Sequence, residues 1–130
     1  MKIESSYVLI ENLKVFAHHG VLPQERVVGA YFILNLRIRT DFSRALVADD
    51  FAGTISYADV FEVVRHEMTV PSNLLEHVAG RICRAVFDRF PAAEAIHLVI
   101  LKENPPMGAD CAGAGVAVDV SRNENEQLEI

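Results

Sequence analysis

Apolar and polar positions alternate most clearly over residues 32–39, where Phe32, Leu34, Leu36 and Ile38 are interleaved with Ile33, Asn35, Arg37 and Arg39. A period of two marks a strand with one buried face. Residues Tyr7 to Phe16 are apolar and β-prone, broken only at Glu11-Asn12, and predict a strand kinked or bulged there. The two should pair as an antiparallel hairpin across a long connection, read as loop from His18 to Gly29. A third alternating segment runs from Glu94 to Lys102, with Ile96, Leu98, Ile100 and Lys102 on one face. Asn104-Pro105-Pro106 stops it, because proline donates nothing to a ladder and restricts the residue before it. After a loop at Gly108–Gly115, Val116, Val118 and Val120 mark a last short strand.

Between the second and third strands the period lengthens. Residues 41–53 are polar and turn-rich, with room for a helical turn at Ser43–Ala48. Ser56-x-x-Asp59 has the form of a capping box, and Phe61, Val64 and Met68 follow at helical spacing until Pro71. Asn73-x-x-Glu76 can open a second helix, striped by Leu75, Val78, Ile82 and Val86 and closed by Phe90-Pro91. The order ββααββ predicts an α+β fold, a four-stranded antiparallel sheet with two helices on one face. Residues 1–122 read as one domain and 123–130 as a polar tail. Strands this apolar on both faces hint at self-association.

Composition narrows the function classes. The net charge of −6, with 12 basic against 18 acidic residues and no basic stripe, argues against nucleic-acid binding. No apolar run approaches the roughly 20 residues that span a bilayer. The start, Met-Lys-Ile-Glu-Ser-Ser, lacks a signal peptide's apolar core. The expectation is a cytoplasmic protein without membrane contact. Cys83 sits in an apolar helical pattern and reads as core, whereas Cys111 lies in a Gly-rich loop with no evident partner.

Candidate chemistry is sparse. His18 and His19 are adjacent, so on extended chain they point to opposite sides and chelate one ion poorly. No HxH, HExxH or CxxC spacing exists among the five histidines and two cysteines. There is no dinucleotide fingerprint, P-loop or nucleophile elbow, and Gly113-Ala114-Gly115 is too short to cradle phosphates. Glu25, in a loop, Tyr57, at a helix start, and Lys102, at a strand end, remain. Each has an ordinary explanation: a solvated carboxylate, a packed ring, a lysine guarding an edge. Glu76 sits where a capping carboxylate would.

Motif order adds what single residues do not. Phe16-Ala17-His18-His19-Gly20-Val21-Leu22-Pro23-Gln24-Glu25 resembles the N-terminal signature of dihydroneopterin aldolases. So do Asp49-Asp50-x-x-x-Thr54-Ile55-Ser56-Tyr57-Ala58-Asp59-Val60, Asn73-Leu74-Leu75-Glu76-His77-Val78-Ala79, and Lys102-Glu103-Asn104-Pro105-Pro106 followed by Gly113-Ala114-Gly115-Val116. The four blocks, in the family's order, span about residues 5 to 122. The resemblance implies the tunnelling fold, in which four ββααββ subunits close a β-barrel ring, two rings commonly stack into an octamer, and active sites lie between subunits. It implies metal-free cleavage of 7,8-dihydroneopterin, with no cofactor and no Schiff base to the enzyme. On the matched positions, Lys102 is the acid/base residue, Tyr57 helps protonate the product carbon, and Glu25 binds or polarises groups near the reacting side chain. Glu76 grips the pterin's guanidine-like edge. Leu75 and Ile55 add backbone contacts, Ile55 from a neighbouring subunit. The Met107–Ala112 loop departs from the family pattern.

Two alternatives stay open at this point. An epimerase acting on the same pterin, or on its triphosphate, can use the same bond cleavage. A triphosphate would favour extra Lys or Arg near the motifs, and none is seen. A non-catalytic pterin-binding ring would keep Glu76 and the fold but lose Lys102, Tyr57 or Glu25, and all three are present.

Overall fold

The computed structural model describes residues 1–123. Apart from Asn123, the tail expected at 123–130 lies outside the described residues. Four strands form one antiparallel sheet in the order β1-β2-β3-β4: β1 Tyr7–Ala17, β2 Ala30–Arg39, β3 Ala95–Lys102 and β4 Ala114–Ser121. Two long helices, α3 (Tyr57–Met68) and α4 (Leu75–Arg89), pack on one face, α3 toward β1 and α4 toward β3 and β4. The described residues also form two short α-helices, α1 (Pro23–Val28) and α2 (Ser43–Ala48), the latter where a helical turn was expected, and a 3-10 turn at Phe51–Gly53. No described helix is long and apolar enough to cross a membrane.

The apolar alternation explains the layering. Phe32, Leu34, Leu36 and Ile38 of β2 and Ile96, Leu98 and Ile100 of β3 are essentially inaccessible, and they meet Val60, Val64, Met68, Val78, Ile82 and Val86 from the helices. Cys83 joins this core, where burial pushes its thiol up to about 11, while Cys111 is exposed. The break at Glu11-Asn12 is a bulge. Ile10 pairs with Leu36, but the next apolar partner pair is Leu13 with Leu34. Asn12 takes φ of 53°, which Asn tolerates better than most residues, and its N–H donates to Asn35 Oδ1 at 2.9 Å. The extra residue switches the inward parity of β1 from Val8 and Ile10 to Leu13, Val15 and Ala17, so the strand buries apolar side chains along its whole length.

Three local expectations are corrected. The stretch read as loop from His18 to Gly29 contains α1. Pro23 presets φ at the helix start, and the Glu25 carboxylate accepts the otherwise unpaired Leu22 N–H at 3.0 Å. Neither capping box forms. Ser56 precedes α3 without a side-chain cap. The second long helix begins one residue later than an Asn73 cap would place it, with Leu74 as N-cap. Glu76 is therefore the second helical residue, and no backbone N–H engages its carboxylate.

Gly115 shows how closely β3 and β4 approach. A Cβ there would fall on the Ile100 carbonyl, 2.8 Å from its carbon and 2.9 Å from Leu101 Cα. Because backbone cannot yield as a side-chain tip does, Gly115→Ala should destabilise the protein by about 3 kcal/mol or more. Urea denaturation followed by circular dichroism checks this; a midpoint equal to that of the unsubstituted protein would show that β4 can shift freely.

Candidate active site

The inward row of β3 ends on an amine. Lys102 follows Ile96, Leu98 and Ile100 on the same face, so strand alternation carries its side chain under the helix layer, where it is only 11% exposed. A buried ammonium needs partners, and three features supply them. Glu25 Oε1 on α1 lies 2.5 Å from Nζ. The His19 carbonyl accepts from Nζ at 3.3 Å. The Phe32 ring centroid lies 5.7 Å from Nζ, offering its negative face. Lys102 and the adjacent Leu22 N–H hold the Glu25 carboxyl below the usual carboxylate range, the Lys102 contact contributing most.

Gly20 makes this pair possible. A Cβ at Gly20 would come within 2.5 Å of Glu25 Cβ and 2.7 Å of Glu25 Oε2. The glycine of the His-His-Gly string leaves the space that the carboxylate occupies. Sequence reading did not single it out, although its place between the histidines and Glu25 was visible.

The two histidines diverge. His18 faces the end of α1, where its Nδ1 lies 3.1 Å from the Arg26 carbonyl. His19 turns inward, 1% exposed, and meets the Phe32 ring edge-on with centroids 5.3 Å apart. Its Nδ1 accepts the Ser72 N–H at 3.1 Å. Burial first, then the positive charges of Arg81, His18 and Lys102, lower its pKa to about 4. The ring is therefore neutral near pH 7, with its proton on Nε2 because Nδ1 is accepting. Among the described residues, no group of three or more His, Cys, Asp and Glu side chains converges as a metal ion would require.

The other singled-out residues lie apart from this pair. Glu76 is exposed at the start of α4 and lines a groove of about 750 Å³ between α4 and β4, with Ala79, Cys83 and Phe87 on one wall and Val116 and Val118 on the other. Leu75 is half-buried beside it. Tyr57, the first residue of α3, is 70% exposed, and the Ile55 side chain belongs to the core at 5%. No hydrogen bond within the described chain joins Tyr57, Ile55, Leu75 or Glu76 to Lys102 or Glu25. The chain thus brings together an amine, a carboxylate and a backbone carbonyl at a sheet end. It presents a second carboxylate at the mouth of an apolar groove, and leaves a phenol facing outward.

Known proteins share this sequence pattern and this fold. The family model described as dihydroneopterin aldolase (FolB) matches residues 8–119. A dihydroneopterin aldolase of Streptococcus pyogenes serotype M18 is 31% identical over 116 residues, covering 88% of this chain and 98% of its own. Among solved structures, the FolB protein of Vibrio cholerae superposes with a TM-score of 0.84 at 26% identity, over 92% of this chain and 100% of that one. E. coli dihydroneopterin aldolase, crystallised with neopterin, gives 0.81 at 26% identity, over 89% and 99%.

Two outcomes follow from the geometry. Because the folded protein holds the His19 pKa at about 4, against 6.5 for an unperturbed imidazole, the unfolded chain takes up the proton first as pH falls. His19 thus contributes stability that is complete above pH 6.5 and is lost progressively as pH falls toward 4, up to about 3 kcal/mol in all. Urea denaturation across that range should show a shallower acid loss for His19→Asn than for the unsubstituted protein; equal slopes would contradict it. Gly20→Ala should push Glu25 off Lys102 and lower the turnover rate about as far as Glu25→Ala does, with little added effect in the double variant. Full additivity of the two rate losses would contradict the shared cause.

Proposed function

The chain belongs to the dihydroneopterin aldolase family, and on that premise we propose that Lys102, Glu25 and Tyr57 carry its retro-aldol chemistry while Glu76, Leu75 and Ile55 hold the pterin. The protein is a 7,8-dihydroneopterin aldolase of folate biosynthesis, releasing 6-hydroxymethyl-7,8-dihydropterin and glycolaldehyde. The observation that carries the residue assignment is the Lys102–Glu25 pair, enclosed at the end of an otherwise apolar strand face.

The substrate supplies its own electron sink. The bond that breaks joins the first and second side-chain carbons, next to a conjugated imine in the dihydropterin ring. As the hydroxyl on the second carbon gives up its proton, that carbon becomes the aldehyde of glycolaldehyde. The bonding electrons flow into the imine as an enamine, which then takes a proton on the first carbon. The enzyme need only orient the ring and move two protons. Lys102 as the free amine takes the hydroxyl proton, Glu25 stabilises the ammonium so formed, and that proton restores the Tyr57 phenol once it has protonated the first carbon. The Tyr57 phenol is a proton donor for the first carbon.

Glu76 suits the opposite task. Its carboxylate is uncommitted, exposed and at a helix start, so two acceptor oxygens can receive the paired N–H groups of the pterin's guanidine-like edge. Tyr57 and Ile55 complete the site from a neighbouring subunit. This is supported by the exposure of Tyr57 and by the two sheet edges, β1 and β4, which have no partner strand among the described residues. We therefore propose a homo-oligomeric ring of four subunits, stacked as an octamer. With both described cysteines unpaired, we place the enzyme in the cytoplasm. Epimerisation uses the same residues if glycolaldehyde turns and re-adds before leaving, and product analysis separates the two outcomes.

With dihydroneopterin and a chelator present, the purified protein should release glycolaldehyde. Lys102→Ala should reduce turnover by about 10²- to 10⁴-fold while neopterin affinity, read by calorimetry, changes little. Glu76→Ala should weaken that affinity by about 10-fold or more. Normal turnover in Lys102→Ala would overturn the assignment of the base, and unchanged affinity in Glu76→Ala that of the clamp.

A further inference from the structure

The Lys102 side chain has four rotatable bonds, and its partners differ in rigidity. Glu25 stands on α1, a six-residue helix that buries none of its residues. The His19 carbonyl is main chain in the buried layer, and its position is over-determined. Residues 19 and 20 are stapled to residue 72 by a reciprocal pair of hydrogen bonds: Ser72 N–H to His19 Nδ1 at 3.1 Å and Gly20 N–H to the Ser72 carbonyl at 3.0 Å. Ser72 is itself pinned. Its Oγ accepts from Arg81 at 3.0 Å and lies 2.9 Å from His77 Nδ1. The Arg81 guanidinium also donates to the Glu67 and Val70 carbonyls, both at 2.8 Å, and to the Glu67 carboxylate at 2.9 Å. The segment so clamped continues through Leu74 into Leu75 and Glu76.

A histidine buried to 1% exposure beside a phenylalanine would pack as well if it were apolar. The imidazole adds an acceptor, Nδ1, which is used, and an Nε2–H that is buried and meets no partner among the described residues. We propose that His19 is a positioning residue of the reaction: by accepting the Ser72 N–H it holds its own carbonyl against Lys102 Nζ, and thereby sets the reach from the acid/base nitrogen to the pterin clamp on α4. The inference rests on Lys102 as the acid/base residue and Glu76 as the clamp. Its mechanism is geometric, since a displacement of the order of 1 Å in a reacting group can cost about 100-fold in rate. The neutral state of the imidazole near pH 7 keeps Nδ1 available as an acceptor.

Two substitutions separate the acceptor from the packing. His19→Phe keeps a ring against Phe32 but accepts nothing. His19→Asn gives up the ring but keeps an oxygen where Nδ1 stands. In His19→Phe, kcat on dihydroneopterin should fall about 10-fold or more while neopterin affinity stays within about 3-fold. His19→Asn should recover most of that kcat. If His19→Phe fails to fold, His19→Gln replaces it, because its amide acceptor reaches the position of Nε2 and not that of Nδ1, and it should be slow. Unchanged kcat in the folded Phe or Gln variant would overturn the inference, as would an Asn variant as slow as they are, or a kcat loss matched by an equal loss of affinity. Lys102→Ala run alongside keeps the two claims distinct. If it is inactive while His19→Phe is normal, only the role of His19 fails; if Lys102→Ala is active, the assignment beneath it fails.

Discussion

A buried lysine at the end of an apolar strand face is the constraint around which this chain is arranged. Strand alternation places Lys102 in line with Ile96, Leu98 and Ile100, and a charge there is tolerable only if carboxylate, carbonyl and ring meet it. Much of what is irregular in the fold does so. The stretch between β1 and β2 folds back as α1 to deliver Glu25. Gly20 withholds a side chain so that the carboxylate fits. His19 turns inward and lends its carbonyl. These features thus converge on the residue that least suits its place in the core.

The singled-out residues otherwise lie at the margins of this core. The helix layer over β2 and β3 is apolar and buried. Space exists at the margin, where α4 and β4 diverge and the valines of β4 are only half covered. Glu76 stands at that margin because α4 begins one residue later than a side-chain cap would have set it. Tyr57 opens α3, which packs toward β1 at the other side of the sheet. The phenol and the groove thus lie apart, and β1 and β4 leave two open sheet edges among the described residues.

The strands were the most legible part of the sequence, since a two-residue period with β-branched and leucine residues has few readings. The bulge was announced by a polar pair inside an apolar run. The stripes Val64–Met68 and Val78–Ile82–Val86 located the long helices. The helix starts were less legible, because Ser56 and Asn73 have capping chemistry that the local backbone leaves unused. The short helix α1 is not legible in the sequence, because it buries none of its residues and its one carboxylate pairs with a lysine 77 positions away. Motif order pointed to Lys102, Glu25, Tyr57 and Glu76. The contacts of His19 with Ser72 and of Arg81 with Glu67 and Ser72 are not legible in the sequence, because they join separate segments of the chain.

By itself, the sequence determined the period of each strand and helix, the ββααββ order and the family. These are carried by local spacing and by motifs that stay intact when the chain is unfolded. Only the tertiary structure decided that Lys102 and Glu25 meet, that His19 is neutral and turned inward, and that Glu76 is uncommitted. Those facts depend on which backbone segments approach within hydrogen-bond distance and on how far a charge is withdrawn from water. Neither quantity exists until the sheet has paired and the helices have closed over it.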